Sequence, residues 1–373
     1  MRLSPAGRVL DWFEARLNLT ELFSFLTSFG LFIVELDTRK PIREALPEAL
    51  KRPIPSYARW PRVLGILTLL IFLFQVSSGL LLAFYYRPAT PGAYESVRTI
   101  VRDVSLGWFI HQMHFWGSSA LILILLARIL RHYFDGLYRA PRELLWVLSF
   151  LLFIAATHAD FSGRILTWES TTYWSTTRAL ELFSLLPFVG TAFAFLVGGS
   201  NIGDAALTRF YFIHIVFLPL ALLALFYLHF LVVRRVGLSP APGEAAQQGI
   251  LAYKRYLLNL LIVLVLVFGL LVTLSVLFPL PFDKKADVLT TPAGALPPWY
   301  LLPAFGFVTL TPHFIPNPIK GTIVLLTLVA VTLLPFLDRP AAQSPTGRLG
   351  RLVAGLFFLL LLIGLGLYGY SHA

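Results

Sequence analysis

Apolar residues in this chain gather into long unbroken runs, separated by short polar stretches rich in charge, proline and glycine. Eight runs stand out, at roughly 61–86, 108–133, 143–159, 209–233, 256–280, 299–312, 320–337 and 350–370. Most approach or exceed the ~18–20 residues that carry a helix across a bilayer, so they are predicted to be transmembrane helices. The sixth is short for a crossing. Two longer connections interrupt the series. Phe161 to Leu207, with Leu185–Leu186–Pro187 and Gly198–Gly199, is expected to lie along one membrane face, and Pro281 to Pro298 joins the fifth and sixth runs. Long ordered connections of this kind often carry function. Pro240 to Gln248 has the composition of a linker. Residues 1–35 mix Asp11, Glu14 and Glu21 with apolar positions and have no small-residue cleavage site, which predicts an amphipathic surface helix and not a signal peptide.

Composition agrees with a membrane location. The chain is 57% apolar and 13% charged, against roughly 45–50% apolar in soluble domains. Its formal charge of +11 would suit nucleic acid, but the basic residues concentrate in alternate connections, namely the N-terminal tail, 131–142, 234–255 and Lys320. By the positive-inside rule that side is cytoplasmic, with the N-terminus on it and both long connections opposite. A bacterial-type inner membrane is the expected location. No nucleic-acid-reading motif is present. Cysteine is absent, which excludes disulfides, iron–sulfur ligation by this chain and covalent haem attachment through sulfur.

Ionisable residues inside the spans need a reason to be there. His114 lies in the second span, and His214 and His229 in the fourth. On a straight helix the 15-residue interval between the last two is about 22 Å of rise and about 60° of rotation, so both can face one neighbour. Imidazole is a strong axial ligand for haem iron, and a helical bundle can clamp a flat macrocycle between facing helices. Glycine gives such a macrocycle room. Gly65 and Gly79 are 14 residues apart in the first span, and Ser149 and Gly163 are 14 apart around the third. Taken singly, each glycine reads as ordinary helix packing.

Ordered motifs along residues 60–340 resemble the cytochrome b subunits of bc-type quinol oxidoreductases. They are Gln75–Val76–Ser77–Ser78–Gly79, Gly107–Trp108 before His114, Gly136 to Glu143, and Phe161–Ser162–Gly163 with Trp168 and Tyr173–Trp174. Gly198–Gly199, Leu207 to Tyr211 before His214, Pro297–Pro298–Trp299–Tyr300 and Leu334 to Arg339 complete the set. The 15-residue histidine interval, and Arg234 after His229, are similar to the plastid-type branch. The resemblance implies an all-α integral membrane fold of about eight spans. Residues 1–59 would form an N-terminal cytoplasmic segment, 60–239 a four-helix haem-binding domain, and 250–373 a C-terminal part of three to four helices.

It also implies two b haems, each held by one histidine from the second span and one from the fourth, together with quinone or quinol. His114 and His214 take the first pair, with Gly79 and Gly163 making room. Gly65, Arg131 and Arg209 fall at cofactor-contacting positions. His229 belongs to the second pair, but its partner position is Arg128, whose guanidinium stays protonated and cannot be an ordinary ligand. Either Arg128 pairs with a propionate of a haem held by His229 alone, or it fills a site without haem, beside a carboxylate or lipid phosphate. Ser149 replaces a haem-facing glycine, Lys254–Arg255–Tyr256 stands at a second quinone site, and His132 is a displaced ligand or an interfacial residue. His111 replaces a propionate-binding arginine. His158 reads as a packed helix residue.

The glutamate of the family's quinol motif is Pro298, which cannot accept a proton. Tyr300 and Trp299 remain as candidate quinol contacts, with His111, Asp287 or water taking protons; alternatively they only anchor the loop at the interface. The implied partners are lipid, an iron–sulfur protein and a c-type cytochrome, in a dimeric respiratory complex. Two other functions compete with electron transfer from quinol through haem b. One is a structural anchor subunit with a silent quinol site. The other is an anion transporter built on Arg128, which the haem-type histidines disfavour.

Overall fold

A computed structural model describes residues 37, 39–51, 54–55, 63–197, 202–236, 250–251, 253–338 and 345–372. The predicted surface helix in residues 1–35, Gly198–Gly199 and the linker 240–248 lie outside them. Among the described residues the regular structure is helical apart from one antiparallel pair, β1 (Ile54–Pro55) with β2 (Ile250–Leu251), and an isolated bridge between Glu169 and Lys285. The helices are α1 (Ile42–Lys51), α2 (Val63–Ala83), α3 (Ala93–Arg102), α4 (Gly107–Phe134), α5 (Glu143–Arg164), α6 (Ser170–Ser184) and α7 (Val189–Val197). They continue with α8 (Asp204–Phe212), α9 (Leu218–Val236), α10 (Tyr253–Leu277), α11 (Leu302–Leu310), α12 (Asn317–Thr332), α13 (Leu334–Leu337) and α14 (Pro345–Ser371).

Six helical stretches are long and apolar enough to cross a membrane: Val63–Ala83, Gly107–Phe134, Glu143–Thr167, Asp204–Val233, Arg255–Leu277 and Gly347–Ser371. Hydroxyls inside them bond back to their own helix, as polar groups in lipid favour: Thr68 donates to the Leu64 carbonyl and Ser78 to that of Phe74. α2, α4, α5 and α9 form a four-helix bundle. Its core joins Leu67, Ile71 and Phe72 to Leu121, Ile122 and Leu125, and these to Leu152, Ala156, Leu222 and Phe226.

Both long connections gather at one end of this bundle. The backbone of 280–287 is laid onto 168–174 by Ser170 N–H to Lys284 O (2.9 Å) and Ala286 N–H to Trp168 O (3.0 Å). Asp283 N–H donates to buried Glu169 (2.8 Å), and the Trp174 indole donates to Asp287 O (3.1 Å). At the opposite end, the Gly136–Glu143 motif meets the Leu334–Arg339 motif: Arg139 donates to Asp338 through Nε and Nη2 (2.9 and 2.7 Å), and Tyr138 donates to the same carboxylate.

Two sequence expectations are corrected here. The sixth run does not cross. It forms a short helix, Trp299–Leu310, whose last carbonyls, those of Val308 and Thr311, accept from Lys320 Nζ (3.2 and 3.1 Å). Gly321 is packed so tightly against Leu185, in the first long connection, that an added Cβ would stand 1.8 Å from its carbonyl oxygen. So α11 begins and ends near the end of the bundle that holds the long connections. α12 and α13 then run to Asp338 at the other end, with Pro335 at the start of α13 interrupting the ladder of backbone bonds between them. Lys320 accordingly belongs with the long connections, not with the N-terminal side. Arg348 and Arg351 join the N-terminal side instead, since Gly136 lies against the Arg351 guanidinium. α14 returns along α11, where the carbonyl of Leu365 would lie 1.9 Å from a Cβ on Gly306; only glycine permits that approach.

Candidate haem and quinol sites

Pro219 is the local cause of the geometry around His214. Lacking an N–H, it leaves the Ile215 carbonyl without its helical donor, and the preceding turn, Ile213–Phe217, widens so that Leu218 N–H bonds the Ile213 carbonyl, five residues back. Such single π turns recur at functional sites. A π turn takes up one residue more than an α turn. The 15-residue interval from His214 to His229 therefore matches the 14-residue interval from His114 to Arg128 on α4, and both pairs meet across the bundle.

In the first pair the His114 and His214 rings meet edge to face, with centroids 6.2 Å apart and planes at 78°, and both side chains lie inside the bundle. Each ring is held by Nδ1. That of His114 is 2.9 Å from Ser78 Oγ, which spends its own proton on the Phe74 carbonyl. That of His214 is 3.0 Å from the Ala159 carbonyl and 3.2 Å from Ser162 Oγ. With Nδ1 carrying the proton, Nε2 of each ring keeps its lone pair. A Cβ would stand 3.1 Å from His114 Cε1 at Gly79 and 2.6 Å from His214 Cε1 at Gly163.

These residues fit a bis-histidine haem. Two imidazoles bonded at about 2 Å to opposite faces of one metal have centroids roughly 6 Å apart, and both Nε2 atoms are free to bond. Among the described residues no group of three or more His, Cys, Asp or Glu could hold a metal ion.

The second pair differs in each respect. Arg128 Nη2 donates to His229 Nε2 at 2.9 Å, using the lone pair a metal would need. His229 Nδ1 is buried with no hydrogen-bond partner among the described residues. Ser149 is fully buried and donates back to the Leu145 carbonyl (2.7 Å), while the space beside Gly65 is open to 4 Å. These residues do not fit a bis-histidine haem. Arg131 pairs with Asp135 (3.3 Å), and Arg209 Nη1 lies 3.4 Å from the Phe195 carbonyl. His158 stacks against Phe183 and Phe193. Arg255 is exposed, and Tyr256 packs against Val63 and Leu260. The side chain of Arg234 lies outside the described residues.

The Pro298–Trp299–Tyr300 motif sits beside the first pair. Trp299 is half exposed, edge-on to Tyr300. Tyr300 Oη is 3.0 Å from both the Thr157 carbonyl and Asp160 Oδ2. By hydropathy the third run ends at residue 159, one short of Asp160, whereas α5 continues to Arg164. The buried Asp160 carboxylate also accepts from Ser118 Oγ (2.7 Å) and Arg164 Nε (2.7 Å). An acidic residue four before an arginine, at the edge of an apolar run, is the signal that could have found it. Neither acceptor expected from the sequence is bonded to Tyr300. Asp287 accepts from the Leu289 amide (2.9 Å), and His111 Nδ1 has no partner among the described residues.

Comparison with known proteins fits this geometry. The family Cytochrome b/b6/petB matches residues 50–237, and Cytochrome b(C-terminal)/b6/petD matches residues 285–373. Cytochrome b6 of Prochlorococcus marinus subsp. pastoris is 30% identical over 238 residues, 64% of this chain and 99% of the relative. Cytochrome b6 of Prochlorococcus marinus strain MIT 9515 aligns to the same extent, also at 30%. A chain in a structure titled Hyperthermophilic respiratory Complex III shares the fold, with a TM-score of 0.73 at 22% identity over 97% of this chain and 99% of that one. With two family matches on one chain and six membrane-length helices, the chain belongs to the cytochrome b family, as a multi-pass membrane protein.

Proposed function

We propose that this chain is the haem b subunit of a bc-type, Complex III-like respiratory assembly, taking electrons from a membrane quinol through a single bis-histidine haem at His114 and His214. The observation that carries this reading is the contrast between the two pairs: paired free Nε2 atoms in one, and a guanidinium on Nε2 in the other. The haem supplies a one-electron acceptor at the end of the bundle where the long connections gather. The protein's own part is to fix both imidazoles through Nδ1, to keep the bundle interior apolar and dry, and to place Tyr300 beside the quinol. His214 and His229 are separated by about 22 Å along the helix. With no second haem there, an electron is not relayed across the membrane by this chain and leaves on the side where it entered. The partners proposed for it are an iron–sulfur protein and a c-type cytochrome, with the N-terminus cytoplasmic, in a bacterial-type inner membrane and in a dimeric complex.

Pro298, in place of the motif glutamate, favours a second reading, a structural anchor whose quinol site is silent. Membranes containing the chain separate the two. Added short-chain quinol reduces the haem b band to the level reached with dithionite if the chain takes electrons from quinol. Reduction by dithionite alone would favour the anchor.

A further inference from the structure

The loss of the motif glutamate leaves the quinol site in want of a carboxylate, and the bundle provides one from another helix. Asp160 lies near the C-terminal end of α5, between Ala159 and Ser162, the two residues that hold His214 Nδ1. Its Oδ2 faces Tyr300, which follows Pro298 by two residues and comes from a segment 140 positions away in the chain. We propose that Asp160 is the proton acceptor of the quinol site, reached through the Tyr300 hydroxyl. This rests on the reading of the chain as a quinol-oxidising subunit.

The hydrogen bonds argue for a relay and not for a lone structural ion pair. Asp160 and Arg164 could neutralise each other by themselves. Instead the carboxylate also accepts from Ser118 Oγ, from α4 one turn beyond His114, and from Tyr300 Oη. The charged or titratable groups turned towards Asp160 are Arg164 on its own helix, Tyr300 from the C-terminal part and His214 from the π turn. None of its hydrogen-bond partners is a haem ligand. With Arg164 Nη2 also 3.5 Å from Oδ1, the Asp160 carboxylate is already occupied by Ser118, Arg164 and Tyr300, so a quinol hydroxyl would reach it through the Tyr300 oxygen. A quinol hydroxyl donating to Tyr300 Oη would pass its proton to that oxygen as the tyrosine's own proton moves to Asp160 Oδ2, and Tyr300 ends neutral.

Each quinol oxidised loses two protons and two electrons and becomes one quinone. One proton takes this route, and a haem held by His114 and His214 would accept one electron. The second electron goes to an oxidised iron–sulfur cluster of a partner subunit and the second proton to water. Asp160 is a positioning and relay residue here; Tyr300 is the group that touches the quinol.

The test uses the full complex in membranes, reduced by a short-chain benzoquinol or naphthoquinol and followed by the haem b band across pH. Asp160→Asn should keep the dithionite-reduced spectrum and haem content while quinol-driven reduction falls roughly 10²-fold, the range of a lost general base. The pH profile of the native rate should change in the variant. Asp160→Glu should restore part of the rate, and adding Pro298→Glu to Asp160→Asn should restore more. Should Asp160→Asn fail to assemble, Tyr300→Phe, which leaves Asp160 with Arg164 and Ser118, should show the same fall. A native rate and pH profile in either variant, with haem intact, overturns the proposal. No reduction of the native haem by either quinol overturns the functional reading itself and this inference with it.

Discussion

Replacing Gly163 by alanine should empty the haem site, while the same change at Gly65 should leave it full. At Gly163 the new Cβ would stand 2.6 Å from His214 Cε1 and 3.2 Å from both ring nitrogens. Carbon atoms rest at about 3.5–4.0 Å, so the ring must retreat by about 1 Å. Metal coordination tolerates about 0.2 Å, and the 3.0 Å bond from Nδ1 to the Ala159 carbonyl would stretch beyond hydrogen-bonding range. Overpacking of this size also costs the fold about 1–3 kcal/mol. Gly79→Ala is milder, with 3.1 Å to His114 Cε1, and should weaken haem retention without abolishing it. At Gly65 nothing lies within 4 Å, so a methyl group is accommodated, and with no second haem beside it no haem is displaced. Pyridine haemochrome per purified polypeptide reads all three. Full haem in Gly163→Ala would refute the placement of the first site, and loss of haem in Gly65→Ala would refute the absence of a second.

Arg128→His combined with Ser149→Gly should create a second low-spin haem b, seen as a second low-field signal in EPR; an unchanged spectrum would mean that more than these two positions closes the site. Burial raises the Glu169 carboxyl to about 7. Because that value lies above the unfolded one, its stabilisation is complete below about pH 4.5 and is lost as pH rises through 7. Amide exchange of Asp283 and Ala286 should therefore quicken across that window, beyond its intrinsic pH dependence, and Glu169→Gln should abolish the excess. Asp338→Asn weakens the charged bonds from Arg139 and should cost about 2 kcal/mol, read as a lower thermal midpoint; an unchanged midpoint would remove the clamp between the two motifs from the account.

Much of the fold was legible in the sequence because lipid leaves few alternatives: an apolar run of sufficient length must be a helix with its backbone bonds closed internally. The same argument fails for Trp299–Leu310, since hydropathy reports only that a segment avoids water, not that it crosses. Its place is fixed by tertiary contacts, Lys320 on the Thr311 carbonyl and Gly321 on Leu185. The facing of His114 and His214 was legible as two intramembrane imidazoles, but the straight-helix estimate of 60° between His214 and His229 was not, because Pro219 inserts a π turn between them. The guanidinium of Arg128 could be recognised in advance as no ligand. That it bonds His229 directly depends on the spacing of α4 and α9. Asp160 was hidden by an error of a few residues in a helix end, the kind of boundary that frays in any reading by hydropathy.

The central claim, one bis-histidine haem at His114 and His214 and none at His229, is tested most directly by counting haem b per polypeptide with pyridine haemochrome and counting low-spin centres by low-temperature EPR. One haem with one low-spin signal is the predicted result. Two haems, both six-coordinate, would contradict it and would require a ligand other than Arg128 opposite His229.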